Sequence, residues 1–397
     1  MYPPQSFGGY EHVWRSAMLE LERRGHEVRV LTSDLDFGQP GADDPHVRRE
    51  LRLYWVPHRL PPMSPLAKLR VERHNARVLR RHVTEFRPDV ISWWAMGGTS
   101  LSLIERVRRA GIPAVAFVHD DWLDYGRDQD GWHRAWRAGR FRRLAPLAQA
   151  LTRVPTRVDF AHAARYVFVS ETTRRRAAAA GVDPPAVSIA HSGIDPGFID
   201  PAPERDWDWS LLYVGRIDER KGVHTAVEAL ALLPEATLTI VGGWDEAEEE
   251  RLRATADRAG VTDRVRFRGH LPLSEVRAAY VDADAVVFPV IWEEPWGLVP
   301  IEAMARGRPV VATGRGGSGE YLRDGENALL FEAGDAEALA AAVRRLRGDP
   351  QLRRRLNATG LETARRHTET HFNSRVVEEL EAAYDAAHGS PRSRATS

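Results

Sequence analysis

The sequence has no cysteine in 397 residues, which excludes disulfides and thiolate metal sites and removes redox chemistry as a guide to compartment. It also has no net charge, since 56 Lys and Arg balance 56 Asp and Glu. A chain without a positive field is a poor general binder of nucleic acid, so no nucleic-acid partner is expected. No apolar run reaches the ~18–20 residues of a membrane span, and the amino terminus lacks an apolar signal-peptide core, so the expected location is cytoplasmic. What is present is globular: 43% hydrophobic residues are enough to build cores, and 397 residues suit two α/β domains better than one.

Short β-branched runs alternate with helical patterns along the chain, the signature of parallel sheets built from βαβ units. Strands are predicted over 26–32, 89–93, 114–118, 166–169 and 188–189, and again over 210–214, 237–241, 264–268, 285–289 and 309–313. Helices are predicted over 10–24, 222–232, 246–259 and 336–347. Two such series predict two doubly wound domains, 1–200 and 208–372, divided near the proline-bearing stretch 196–208. A last amphipathic helix follows over 373–388, and 389–397 reads as a disordered tail. Doubly wound domains normally open with a strand feeding the first functional loop. Here Met1-Tyr2-Pro3-Pro4 leads straight to Gly8-Gly9 and a helix. The favoured expectation is a strand upstream of Met1. The alternative is a sheet that tolerates losing a central strand.

In open α/β sheets, ligands bind beyond the carboxyl ends of the strands. The strand at 210–214 is followed by Gly215-Arg216-Ile217-Asp218-Glu219-Arg220-Lys221-Gly222. There a glycine turn sets Arg216 and Lys221 at a helix start, two fixed cations beside a helix dipole that suit a diphosphate. A soluble surface turn would also be rich in Arg and Lys. The strand at 285–289 is followed by Trp292-Glu293-Glu294-Pro295-Trp296-Gly297-Leu298-Val299-Pro300-Ile301-Glu302. Glu294 and Glu302 stand eight residues apart, about 12 Å if helical, which suits the two ends of one elongated ligand better than a glycosidase pair. Carboxylates accept hydrogen bonds from sugar hydroxyls, and backbone N–H groups at Gly297 and Leu298 can face a diphosphate.

These segments, with the 309–313 strand and Gly316-Gly317-Ser318-Gly319-Glu320, resemble glycosyltransferase family 4. So do Tyr2-Pro3-Pro4, Gly8-Gly9-Tyr10-Glu11, Arg24-Gly25-His26-Glu27-Val28, Val118-His119-Asp120 and Ser192-Gly193-Ile194-Asp195 in the first half. The resemblance implies the GT-B fold, two facing Rossmann-like domains with a cleft between them, closing over the donor, and a final helix that crosses back to the first domain. It implies a metal-independent hexosyltransferase, without cofactor, that moves a hexose from a UDP- or GDP-sugar with retention. The acceptor would be a glycan, a lipid-linked molecule or a small molecule. Carried over by position, Arg216 and Lys221 neutralise the leaving diphosphate, Glu294 contacts the transferred sugar, and Glu302 binds the ribose diol. Gly297 and Leu298 give backbone contacts, Gly215 is a further donor-binding residue, His119 lies beside the donor sugar, and Gly8-Gly9 face donor phosphate and acceptor. The implied mechanism is same-face attack, with a donor phosphate oxygen taking the proton. The protein would contribute alignment and electrostatics.

Other signals carry less. Gly314-Arg315-Gly316-Gly317-Ser318-Gly319 fits G-x-G-x-x-G but lies late in its domain, so closing over a donor suits it better than NAD binding. The Asp-x-Asp pairs 34/36, 128/130, 206/208 and 282/284 read as loop and cap carboxylates rather than a metal site. The stretch 132–159 interleaves seven arginines with Trp132, Trp136, Phe141 and Leu144. It reads either as a solvated helix or as a peripheral contact with an anionic membrane. Two other functions share the pattern: a sugar-nucleotide epimerase or phosphorylase, and a non-catalytic nucleotide-sugar-binding subunit.

Overall fold

The computed structural model describes all residues except 6–7, 37, 39–40, 56–59, 138–139, 244–245 and 390–397. Twelve strands are described: β1 (Val30–Ser33), β2 (Val47–Leu51), β3 (Ile91–Trp94), β4 (Ala114–Val118), β5 (Arg165–Phe168), β6 (Val187–Ile189), β7 (Ser210–Val214), β8 (Thr237–Val241), β9 (Val265–Gly269), β10 (Ala285–Phe288), β11 (Val310–Ala312) and β12 (Leu329–Leu330). All ladders between them are parallel. Parallel strands need long crossover connections, most of them helical here, and burial on both faces explains runs such as Ala114–Val118, where all five residues are buried.

The chain divides into two compact units, His191–His371 and the combination of Met1–Ala190 with the chain from Phe372 onward. The division falls before the proline-bearing stretch where the sequence reading set it, because 191–200 is tied to the second unit. Ile194 bridges Thr368, the Trp296 indole N–H donates to the Ser192 carbonyl at 2.8 Å, and His191 stacks on Trp296 with centroids 4.2 Å apart. The last helix, Glu369–His388, begins four residues earlier than expected and from Phe372 on belongs to the first unit. The expected tail lies, from residue 390, outside the described residues.

In the second unit the sheet order is β12-β11-β10-β7-β8-β9. The chain winds outward from β7 through β9, then returns to place β10 on the other side of β7. The switch point lies between β7 and β10, where the loops leaving adjacent carboxyl ends diverge and leave a crevice. The core on one side of this sheet includes Leu211, Leu238 and Val287 with Val227 and Leu230 of the Val223–Leu230 helix. The first unit holds β3-β4-β5-β6 as one sheet and β1-β2 as another. Sequence reading missed β2, whose Val-Arg-Arg-Glu-Leu carries charge at its centre, and the Arg-rich helix Pro65–Phe86. That helix starts on Ser64, whose hydroxyl accepts from the Ala67 N–H, with proline as its first residue.

Candidate active site

The loop after β7 and the loop after β10 are joined at the switch point. Gly222, at φ +66°, caps the Val223–Leu230 helix, and a Cβ there would fall 2.0 Å from the Pro289 carbonyl oxygen, so only glycine permits this approach. The Ile291 N–H donates to the Arg220 carbonyl at 2.9 Å. These backbone contacts bring together Lys221 and Glu294. The Lys221 ammonium donates to Oε2 of Glu294 at 2.7 Å, and the Trp292 indole N–H donates to the same oxygen at 2.7 Å. Both partners of the ion pair are recessed, with side chains 14% and 12% exposed. Oε1 of Glu294 has no hydrogen-bond partner among the described residues. The site therefore holds a cation in place while keeping half a carboxylate available to a hydroxyl.

Arg216 stands in the same loop after Gly215, itself at φ +143°, and is the more accessible cation, with 44% of its side chain exposed. Its guanidinium lies 3.6 Å from Asp218, which is also 3.4 Å from Arg220. Asp218 restrains the loop electrostatically, since its oxygens lie within ion-pair range but accept no hydrogen bond.

Beyond Glu294 the chain turns at Gly297 (φ +86°), whose carbonyl accepts the Tyr321 hydroxyl. Leu298 is the N-cap position of the Val299–Ala305 helix, and Glu302 lies within it. Oε2 of Glu302 accepts the Tyr280 hydroxyl at 2.6 Å. Burial pushes the Glu302 carboxyl above the usual range, against the opposing pull of Tyr280 and Arg277.

The glycine-rich loop 314–319, expected from the sequence to close over a donor, packs its backbone against the Glu294 segment. A Cβ on Gly316 would fall 2.4 Å from the Glu294 carbonyl oxygen, and one on Gly317 2.1 Å from that of Pro295. The Gly317 N–H donates to the Glu294 carbonyl at 2.6 Å. This loop backs the Glu294 segment, and its glycines allow one backbone to rest on another. Two of the Asp-x-Asp carboxylates are structural pins: Asp130 accepts backbone N–H groups of Leu101, Trp132 and His133, and Asp284 those of Asp208 and Ser210.

In the first unit, His119 follows β4 by one residue and sits among rings. Tyr10 lies 5.0 Å away, Trp94 stacks at 5.7 Å, and Phe372 meets it edge-on at 5.2 Å. Among the described residues neither imidazole nitrogen makes a well-formed hydrogen bond, and burial lowers its pKa to about 3 against a weak opposing interaction with the Phe117 backbone. At neutral pH it is an uncharged ring with a donor and an acceptor unused. Gly9 opens the Gly9–Arg23 helix, whose second residue is Tyr10. Gly8 precedes it, exposed, with open space where a Cβ would go, and its N–H donates to Glu11.

Sequence reasoning gave no role to Trp292, Tyr280, Asp218 or Tyr10. Trp292 and Asp218 lay inside quoted motifs, so their closeness in sequence was a usable signal. Tyr280 reaches Glu302 across 22 residues, and only the fold brings them together. The stretch 132–159 is not one helix. Its described parts are Gly131–Arg137, a short 3₁₀ turn at Arg140–Leu144 and Ala145–Thr152. Trp132 is buried, whereas Phe141, Leu144, Leu147 and Leu151 are exposed.

Residues 7–198 match the family model described as Glycosyltransferase Family 4, and residues 199–363 that of Glycosyl transferases group 1. A lipopolysaccharide core biosynthesis glycosyltransferase, LpsE of Rhizobium meliloti, is 40% identical over 38% of this chain, which spans 44% of that protein's length. The glycogen synthase of Mycobacterium tuberculosis is 29% identical over 88% of this chain and 84% of its own. Among solved structures, Anabaena Alr3699/HepE in complex with UDP and glucose superposes with a TM-score of 0.62 at 20% identity, over 85% of both chains. The two family models together run from residue 7 to residue 363, and the chain belongs to glycosyltransferase family 4, with the GT-B fold.

Proposed function

We propose that the protein transfers a hexose from a UDP- or GDP-sugar to a glycan, lipid-linked or small-molecule acceptor, with retention and without a metal ion. The observation that carries this reading is the Lys221–Glu294 pair at the switch point, with Oε1 of Glu294 making no hydrogen bond among the described residues. A leaving diphosphate would take positive charge from Lys221 and the exposed Arg216, and the first helical N–H groups after Gly222 and Leu298 would add to it. Glu294 would then be free to accept from the sugar, and Glu302 from the ribose diol. His119, as a neutral ring, would hydrogen-bond a sugar hydroxyl. Gly8-Gly9 would leave room for phosphate and acceptor. That HepE was solved with UDP and glucose supports a uridine donor as the first to try.

The test is nucleotide release by the purified chain from a panel of UDP- and GDP-sugars in EDTA, with and without sugar acceptors. Acceptor-stimulated release of UDP or GDP, with the anomeric configuration kept in the product, is expected. Conversion of donor without acceptor would replace this reading with an epimerase, and binding without turnover with a carrier.

The acceptor side of the proposal includes an anionic membrane surface. In support, Phe141, Leu144, Leu147 and Leu151 present apolar side chains to solvent. A groove of about 450 Å³ nearby in sequence and structure is lined by Arg73, Arg77, Arg80, Arg106 and Arg153. No helix among the described residues is long and apolar enough to cross a membrane, so this contact would be peripheral. Co-sedimentation with phosphatidylglycerol vesicles, lost in Leu147→Ser/Leu151→Ser, is expected. Equal pelleting with and without vesicles at low salt would remove the membrane from the proposal.

A further inference from the structure

Helix Pro65–Phe86 carries Arg73, Arg77 and Arg80 at i, i+4 and i+7, a spacing that sets three like charges in one stripe along a single face. Two further arginines meet this stripe. Arg106 lies in the last turn of helix Ser102–Arg109, and Arg153, left-handed at φ +57°, caps helix Ala145–Thr152. All five line the groove of about 450 Å³ in the first unit, together with the apolar Leu79, Val83, Val107 and Ile112.

The carboxylates around these arginines are committed elsewhere. Glu105 binds Arg108 at 2.8 Å and Arg109 at 2.6 Å, Glu50 holds Arg81 and His82, and the buried Glu72 accepts from the Tyr54 and Ser102 hydroxyls. None of the five makes an ion pair among the described residues. Arg106 is half-buried. Its terminal nitrogen donates to the Arg153 carbonyl at 2.9 Å, but its Nε is buried without a partner among the described residues. Burial lowers its pKa, and the like charges of Arg109 and Arg80 add to this against the pull of Glu72. Arginines do gather at helix carboxyl ends to meet the negative pole of the dipole, which accounts for Arg106 beside Arg108 and Arg109. That does not account for the stripe, which lies mid-helix in an element with no basic residue in its last turn.

We propose that this groove is an anion site distinct from the donor candidates of the second unit, for a compact ligand with two or more phosphate charges and an apolar portion. Guanidinium forks match phosphate oxygens bidentately, and five along one groove suit a diphosphate or doubly phosphorylated group better than a single carboxylate. The apolar lining takes the rest of the molecule, and the volume falls in the range of small-ligand pockets. Ile112 and the end of helix Ser102–Arg109 lie at the amino end of β4, so the five residues of that strand, about 16 Å, separate the groove from His119. The ligand is therefore not the group that reacts, and the proposal does not rest on the donor-site reading. A soluble phosphate ester and a phosphorylated lipid headgroup share this chemistry.

The experiment titrates inorganic pyrophosphate into the full chain by calorimetry. A binding event is expected that survives in Arg216→Gln/Lys221→Gln and weakens at least tenfold in Arg73→Gln/Arg77→Gln/Arg80→Gln, whose exposed side chains leave the melting temperature unchanged. Arg77→Glu alone, reversing the charge at the centre of the stripe, should also weaken it about tenfold. An event lost in the Arg216/Lys221 variant and untouched in the stripe variant would overturn the proposal. So would an equal loss in Arg345→Gln/Arg347→Gln/Arg355→Gln, which removes the same charge from the surface of the second unit. Competition then separates the sources. Displacement of pyrophosphate by phosphatidic acid vesicles assigns the ligand to a lipid headgroup, and displacement by a soluble hexose bisphosphate alone assigns it to a free ester. Displacement by neither would overturn the assignment to a phosphate ester.

Discussion

Each unit carries functional candidates beyond the carboxyl end of a strand, yet the two stations follow opposite physical rules. After β7 and β10 the residues are charged and tightly partnered, with Lys221 holding Glu294 and Trp292 holding it again. After β4, His119 is uncharged, has no well-formed hydrogen bond among the described residues, and packs against rings. A pre-formed ion pair can meet developing charge without reorganising, which is where electrostatic catalysis is strongest. A desolvated neutral histidine adds no charge. It offers directional hydrogen bonding at a place where an imidazolium would be expensive. The contrast teaches that position in a doubly wound sheet says where a ligand contact sits, and the local dielectric says what kind it is.

Removing the cation should break this contrast most. Lys221→Ala is expected to lower kcat by about 10³-fold, with a melting curve showing retained fold. A near-wild-type rate would sink its assigned role. Next comes the glycine support, because Gly317→Ala puts a Cβ into the Pro295 carbonyl and must push the Glu294 segment aside. A loss of about a hundredfold is expected, with donor affinity measured by calorimetry falling in parallel. The neutral station should respond less. His119→Phe keeps the ring stack and should cost about tenfold in kcat/KM, the value of one hydrogen bond. It should leave the pH–rate profile between pH 5 and 8 unchanged in shape, because the imidazole is already neutral there.

The same histidine makes a stability prediction. Its native pKa of about 3 lies below the unfolded ~6.5, so between those values the unfolded chain binds more protons and stability falls as pH falls. His133 and His367, each lowered to about 4 chiefly by burial, act in the same direction. The difference between wild type and His119→Phe in melting temperature should therefore shift in favour of the variant on going from pH 7 to pH 4. The smallest effect is expected for Trp292→Phe, which removes one of two donors to Glu294. About a threefold to fivefold loss in turnover would mark Lys221 as the dominant anchor.

The charged station was largely legible in the sequence. Glycine-bordered basic and acidic runs follow strong β-branched strands, and chemistry close in sequence stays close in space. Arg216, Lys221, Glu294, Gly297, Leu298 and Glu302 all lie beyond the ends of two adjacent strands. What held them in place was not legible. The Tyr280–Glu302 bond joins separate elements, and the 314–319 glycines matched a dinucleotide fingerprint while serving as a backbone rest. In the first unit the pattern was weaker. The charged centre of β2 masked a strand, and the many arginines of Pro65–Phe86 masked the apolar face of a long helix. His119 could be placed after a strand, but the Tyr10, Trp94 and Phe372 rings that make it neutral come from distant parts of the chain.

The helix Glu369–His388 gives the molecule an order of completion. Every residue of the second unit has been synthesised by the time the ribosome reaches Phe372, whereas the first unit, begun at Met1, still awaits its closing helix. Trp94 and His119 cannot meet Phe372, nor Ser16 the Asn373 amide, until the chain has been read through those two residues. The half of the protein translated first is thus the half finished last, and its exposed apolar surface is what a nascent-chain chaperone would find.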